Sequence, residues 1–478
     1  MCSFLTRFRI PLLLFDDTGL SMHDDQVLKR SALLIATLSA FLTPFMVSSV
    51  NIALPAIGRE FQMSAVLMSW VPTAYLLSAA MCLVPFGRLA DIYGRKRIFS
   101  YGIGIFTLAS LLLALSPSAA AFIAFRVLQG LGSAMIFGTG MAILTSVFPA
   151  AERGRVLGMN VAAVYLGLSI GPTFGGFLTQ HFGWRSLFLV NVPLGLLVIF
   201  FLATKLKAEW AEARGERFDL AGSLLYSASL VALMYGLSLL PRGMGIVLTA
   251  AGAAGAAMFI LWEMKTTSPL LDMNLFFHNT TFAFSNLAAL INYSATNAVT
   301  FLMSLYLQYI KGLTPQSAGM VLVAQPLIMA IFSPLAGRIS DRVEPRVVAS
   351  IGMAITASGL FLFTFVDGGT SVGFILTGLV LLGFGFALFS SPNTNAVMSS
   401  IEKRSYGVGS ATLGTMRLTG QMLSMGITMV IFSLSIGGAR ITPEYYPLFL
   451  TSMKTGFIIF SALCFAGIFA SLARGKVR

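Results

Sequence analysis

The stretch GRLADIYGRKR, Gly87 to Arg97, places Arg88, Asp91, Arg95, Lys96 and Arg97 within eleven residues. The chain around it is only 10% charged and 56% hydrophobic, and long apolar runs flank the stretch on both sides. A charged turn between two such runs is a loop at a membrane surface. The lone acid among bases needs a separate reason.

Working outward, runs of about 20 apolar residues recur along the chain, each long enough to cross a hydrocarbon core of about 30 Å. Mean hydropathy is +0.85. The runs are continuous, which argues for helices; a barrel would show short alternating strands. The 46 glycines and 40 phenylalanines suit helix packing in a bilayer. Fourteen spans are predicted, near 31–53, 65–86, 98–116, 121–148, 156–178, 186–204, 219–240, 244–264, 282–308, 319–336, 347–366, 372–394, 407–436 and 451–473. The longest clearly polar loop is KLKAEWAEARGERF, Lys205 to Phe218.

Lys and Arg set the orientation. With both termini cytoplasmic, tails and inner loops hold 23 of the 31 basic residues; outer loops hold Arg59, Arg185, Arg242, Lys311, Arg440 and Lys454. Arg126 and Arg417 remain inside spans. Attraction to an anionic inner leaflet then explains the net charge of +13 without nucleic acid. Residues 1–30 read as a cytoplasmic tail, with Met22 as an alternative start. Cys2, Cys82 and Cys464 lack metal or disulfide spacing and read as packing thiols.

The opening stretch returns once. GRISDRVEPR begins at Gly337, 250 residues after Gly87, again behind a proline-containing apolar run (Pro85, Pro334). Gly87, Arg88, Asp91, Gly94 and Arg95 are matched in part by Gly337, Arg338 and Asp341. Two six-helix bundles with two extra helices between them fit the offset, giving an all-α polytopic membrane protein with pseudo-symmetric halves. The boundaries are 31–204 for the first bundle, 205–281 for linker and extra helices, and 282–478 for the second bundle with a short cytoplasmic tail. An acid in a basic loop can accept charge-assisted hydrogen bonds, so Asp91 reads as part of a gate latch. The plain alternative is a solvated turn; the second copy favours the latch.

These residues resemble the signature loop of the major facilitator superfamily. RVLQG (Arg126 to Gly130) is similar to its fourth-helix motif, and LGLSIGPTFGG (Leu166 to Gly176) to the antiporter motif of its fifth helix. FGWRSLFLVNVPLG (Phe182 to Gly195), VNIALPAI (Val50 to Ile57), PLLDMNLF (Pro269 to Phe276) and SPNTNAVMSS (Ser391 to Ser400) resemble the fourteen-helix drug:proton antiporter branch, the EmrB/QacA type. The resemblance implies multidrug-type export of amphipathic small molecules across the plasma membrane, by alternating access, driven by a proton gradient with no cofactor or metal. Export of a specific metabolite or siderophore-like compound, or facilitated export without tight proton coupling, is the alternative. Expected partners are the substrate and membrane lipids, with a monomeric protein that accessory efflux proteins can join.

Gly167, Gly171 and Gly175 recur every fourth residue, with Gly176 beside them and Pro172 able to bend the helix, so this motif reads as a close helix contact. A charge at mid-bilayer costs about 3 kcal/mol or more. Arg126, with Gln129 on its face, must therefore face a polar cavity or a partner; the resemblance implies a role in handling substrate or protons, against the alternative of a structural arginine bonded to carbonyls of a neighbouring helix. Arg417, with Gln421 one turn on, reads the same way on less support. Asn51 lines a cavity or locks helices. All 18 acids fall outside the middle of any span, and Met46 stands where the branch usually has an acid. No titratable group is thus offered at the usual place, and the field should be neutral to positive, favouring neutral or anionic substrates. If protons are coupled, Asp91 is the expected group, unless an end acid such as Asp219 or Glu263 reaches the cavity. Three histidines without clustered ligands, and no P-loop, argue against an enzyme or an ATP-driven pump.

Overall fold

The computed structural model describes residues 22–206, 208–266, 269–271, 273–402 and 406–475. The chain before Met22, and with it the choice of start, lies outside the described residues. The elements in chain order are α1 (Met22–Glu60), α2 (Ala65–Tyr93), α3 (Arg95–Ala114), α4 (Ala119–Val147), α5 (Ala150–Phe182), α6 (Arg185–Lys205), α7 (Leu220–Leu239), α8 (Gly243–Glu263) and the short α9 (Met273–His278). They continue with α10 (Thr280–Thr296), α11 (Ala298–Leu305), α12 (Pro315–Leu322), α13 (Ala324–Ser340), α14 (Pro345–Phe363), α15 (Val372–Ser399), α16 (Tyr406–Ser435) and α17 (Tyr446–Ala473).

Local chemistry sets many of the starts. Ser64, Ser118, Asp219, Asn279, Thr314 and Ser371 each cap a helix by accepting the backbone N–H three residues on. One boundary differs from expectation. Residues 22–30, assigned to the tail, belong to α1, because neither glycine nor proline interrupts 22–43 and the helix simply continues.

Thirteen helical segments among the described residues are long and apolar enough to cross a membrane. The crossing expected at 282–308 is a broken rod. Ser424 Oγ accepts the Ala298 N–H at 3.0 Å, and Asn297 Nδ2 donates to the Gln421 carbonyl at 3.3 Å, so α16 interrupts the ladder between α10 and α11. A π-type turn, Tyr306–Ile310, completes it. With this rod the crossings number fourteen.

α1 to α6 pack into a first bundle: α5 lies along α1, α2 and α3 flank α4, and α6 closes on α1 and α3. α10 to α17 form a second, in which α14 lies between α15 and α17, and α10 against α16 and α17. The α7–α8 hairpin rests on α2 and α16 through Tyr226, Leu230, Met234 and Phe259. Pro85 lacks an N–H and so frees the Met81 carbonyl inside α2. Ser227 Oγ of α7 donates to that carbonyl at 3.1 Å, docking the hairpin with a group that would otherwise be unsatisfied.

Candidate functional site

The signature stretch forms the end of α2, a one-residue break at Gly94 and the start of α3. Its partner is the polar segment between α6 and α7. Arg95 Nη1 and Nη2 donate to the two carboxylate oxygens of Glu212 at 2.7 and 2.9 Å, while its Nε donates to Asp91 Oδ1 at 2.9 Å. Nη1 also reaches Ser146 Oγ of α4 at 2.6 Å. Arg88 pairs with Glu216 at 2.6 Å, and the Lys96 N–H donates to Glu209 Oε1 at 2.9 Å. Two backbone bonds tie the segments directly: Arg95 N–H to the Trp210 carbonyl and Ala213 N–H to the Asp91 carbonyl. Gly94 is required by its backbone, and its lack of a side chain leaves room for Glu209. Its φ is +120°, and a Cβ there would strike the Glu209 carboxyl. The lone acid therefore orients Arg95, and the linker supplies its other carboxylate.

Sequence reasoning found the loop and missed this partner. A signal was present: Glu209, Glu212 and Glu216 concentrate three of only 18 acids in one short segment. The second copy is held differently. Ser340 Oγ donates to the Gly337 carbonyl at 2.8 Å and accepts from Asn395 Nδ2 of α15 at 3.1 Å. Gly337 lies close to Ser391, and Asp341 caps α13. Arg338 is in the last turn of α13. Arg474, assigned to the tail, is instead fully buried beneath α10, α15 and α17, where it donates to the Ser471 carbonyl and hydroxyl, Ser285 Oγ and Asn393 Oδ1. Burial pulls its pKa down to about 10, so it stays charged near neutrality.

At the opposite end the two bundles meet. Pro55 frees the Asn51 carbonyl in α1, and Ser304 Oγ of α11 donates to it at 2.6 Å. Gln308 Nε2 donates to the Ile52 carbonyl at 2.9 Å. Gly176 abuts Pro315, and Gly319 abuts Pro172, so α5 and α12 touch backbone to backbone. The glycine motif is thus divided. Gly167, Gly171 and Gly175 face Phe41, Ser48 and Ser49 of α1, and Ser49 Oγ donates to the Gly171 carbonyl at 3.0 Å. Of the five motif residues named above, Pro172 and Gly176 make the contact between bundles. Asn51 takes part through its carbonyl; its side-chain Oδ1 is buried without a partner.

The two arginines read alike in sequence and differ in place. Arg126 is 1% exposed and sits inside the first bundle. Nε donates to the Val71 carbonyl at 3.1 Å and Nη1 to Gln129 Oε1 at 2.5 Å, Gln129 donates to Ser110 Oγ at 3.0 Å, and the guanidinium lies 4.5 Å from the Tyr75 ring centroid. This geometry ties α2, α3 and α4 together. Arg417 of α16 is half-buried, donates to Thr394 Oγ1 at 2.7 Å and lies 5.7 Å from the Tyr293 ring centroid, with its buried Nε unpartnered. Gln421 accepts from Asn297 through its carbonyl.

The acids named as alternatives are engaged at the ends of the hairpin. Asp219 caps α7 and accepts from Trp262 Nε1 at 2.9 Å; Glu263 Oε2 accepts the Leu271 N–H at 2.9 Å. Met46 is fully buried, and its Sδ takes a hydrogen bond from Asn191 Nδ2 of α6 at 3.0 Å. Among the described residues no three His, Cys, Asp or Glu side chains converge to hold a metal.

Two bundles joined across a seam, with a charged loop repeated in each, define a membrane transporter. The Major Facilitator Superfamily model matches residues 36–285 and 285–476, and the chain belongs to that superfamily. It is 33% identical to multidrug resistance protein Stp of Mycobacterium tuberculosis, over 79% of this chain and 71% of that one. It is 28% identical to riboflavin transporter RibZ of Clostridioides difficile, over 92% and 96%. Among solved structures, a bacterial homolog to the human lysosomal transporter Spinster, in an inward-facing and occupied conformation, superposes with a TM-score of 0.64 at 16% identity, covering 94% of this chain and 97% of that one. The protein is a multi-pass membrane transporter of that superfamily, not an enzyme.

Proposed function

We propose that this protein exports amphipathic organic molecules by alternating access, with residues 31–204 and 282–478 rocking on each other and 205–281 between them, in exchange for protons across the plasma membrane. The observation that carries the reading is the asymmetry of the contacts: one end is closed by Asn51–Ser304, Ile52–Gln308 and Gly176–Pro315, while the signature loop at the other end is held by the linker. With both termini cytoplasmic, the end closed by these contacts is external and the signature loop is cytoplasmic. The similarity to a multidrug resistance protein, Stp, accords with this. One observation favours a second reading, transport of a specific metabolite without tight proton coupling: Met46 and Asn191 leave no titratable group at the branch's usual first-helix position.

Proteoliposomes loaded with a panel of amphipathic compounds decide between them. Proton antiport predicts transport that accelerates with an imposed pH gradient and collapses with a protonophore. Equal rates with and without the gradient select the uncoupled reading.

A further inference from the structure

Arg417 differs from four other arginines at or within the ends of the spans. Arg95 and Arg185 meet carboxylates; Arg126 and Arg474 are surrounded by neutral acceptors. A guanidinium carries five N–H donors. Arg417 makes one side-chain hydrogen bond, to Thr394, its Nε is buried without an acceptor, and no carboxylate pairs with it among the described residues. Burying a charge this poorly satisfied is costly, unless a further acceptor arrives from outside the chain.

The helix geometry says from where. Arg417 lies eleven residues into α16, about 17 Å along its axis. Gly414 faces Leu83 of α2, in the first bundle, and Gly420 faces Leu290 and Tyr293 of α10, in the second. At 3.6 residues per turn Arg417 projects between these two directions, about 60° from each. It therefore points into the seam between the bundles. Tyr293 forms one wall, braced edge-on by Phe386 with ring centroids 5.3 Å apart. Tyr165 of α5 lies within electrostatic reach of Tyr293 from the first bundle.

We propose that Arg417 binds the anionic group of the transported molecule, a carboxylate or sulfonate on an aromatic body that lies against Tyr293 and Tyr165. This deepens the export reading and rests on it for the word transported, but not for binding. The charge-assisted bond supplies the missing acceptor, and the tyrosines offer ring faces and edges to an aromatic skeleton. A divalent cation meets the Arg417 charge with no carboxylate among the described residues paired to it.

The test uses three probes on the reconstituted full-length protein: anilinonaphthalene sulfonate, its uncharged parent phenylnaphthylamine, and the dicationic dye propidium. Binding is read as thermal stabilisation in nanodiscs, and transport as kcat/KM in proteoliposomes. The wild type should be stabilised by the sulfonate more than by the parent. Arg417→Gln should lose about tenfold in sulfonate affinity, with the parent unchanged, and Arg417→Lys should recover part of it. Sulfonate that binds through Arg417 without being transported upholds the site and overturns the export reading. A sulfonate-to-parent ratio unaltered by Arg417→Gln, no stabilisation of the wild type by the sulfonate, or preferred binding of propidium, overturns the proposal.

Discussion

Arg95 and Glu212, 117 residues apart, meet through both guanidinium Nη atoms at 2.7 and 2.9 Å, and the same arginine holds Asp91. The arginine side chain is 9% exposed, while Glu212 is 66% exposed. Solvent screening of the acid discounts the contact to about 1 kcal/mol. Glu212→Gln should therefore slow transport about fivefold, and Arg95→Gln more, because it also releases Asp91. In a double-mutant cycle the two losses should be less than additive. Full additivity of the transport rates would show that the linker does not act through Arg95.

Asp91→Asn should impair transport while leaving membrane insertion intact. The change keeps an oxygen to accept from Arg95 Nε but removes the charge that orients the guanidinium. Asp341→Asn should be milder, since the second copy is tied to α15 through Ser340 and Asn395. Rates normalised to surface expression check both; an Asp91→Asn protein as fast as the wild type contradicts the latch.

Gly176→Ala should weaken the closed end. A methyl there runs into the Pro315 carbonyl, and overpacking of this kind costs about 1–3 kcal/mol. The equilibrium should shift toward opening, so a cysteine at Ser304, fully buried where α11 meets α1, should react faster with an impermeant maleimide added from outside. Gly171→Ala meets Ser48 within the first bundle instead. It should lower the yield of folded protein without raising that reactivity.

Apolar run length alone made the crossings legible, and so did the repeat of the signature loop. What sequence left open was set by tertiary partners. Arg126 and Arg417 are each followed by a glutamine within one turn. Only the neighbours distinguish them, because Val71, Gln129 and Tyr75 satisfy one and the seam leaves the other short of acceptors. Asn51 looked like a polar side chain seeking a partner. Its contact is made by the carbonyl that Pro55 frees, a signal readable only once Ser304 is known to lie opposite. The role of the linker depended on contacts spanning more than a hundred residues, which periodicity does not report.

Cytoplasmic termini are expected from the distribution of bases. Arg214 is exposed beside the signature loop, and Pro117 is exposed at the turn before α4. In a background lacking native cysteines, Arg214→Cys should label only in permeabilised cells and Pro117→Cys in intact ones. The reverse pattern would invert the protein.

Arg126→Ala should act on folding rather than on substrate choice. The guanidinium is spent on partners within the first bundle, and its removal leaves the Gln129 side-chain oxygen without its donor in a buried place. A buried polar group left unsatisfied costs about 1–3 kcal/mol, and the vacated volume beside Tyr75 adds to that. Less monodisperse protein should be recovered by size-exclusion chromatography, with a lower melting temperature. Gln129→Ala should reproduce the direction, since it breaks the link from Arg126 to Ser110. Per folded molecule, the ratio of anionic to neutral probe transport should stay at the wild-type value in both variants. An Arg126→Ala protein that folds normally but changes this ratio would place Arg126 in the transport path and not in the frame of the first bundle.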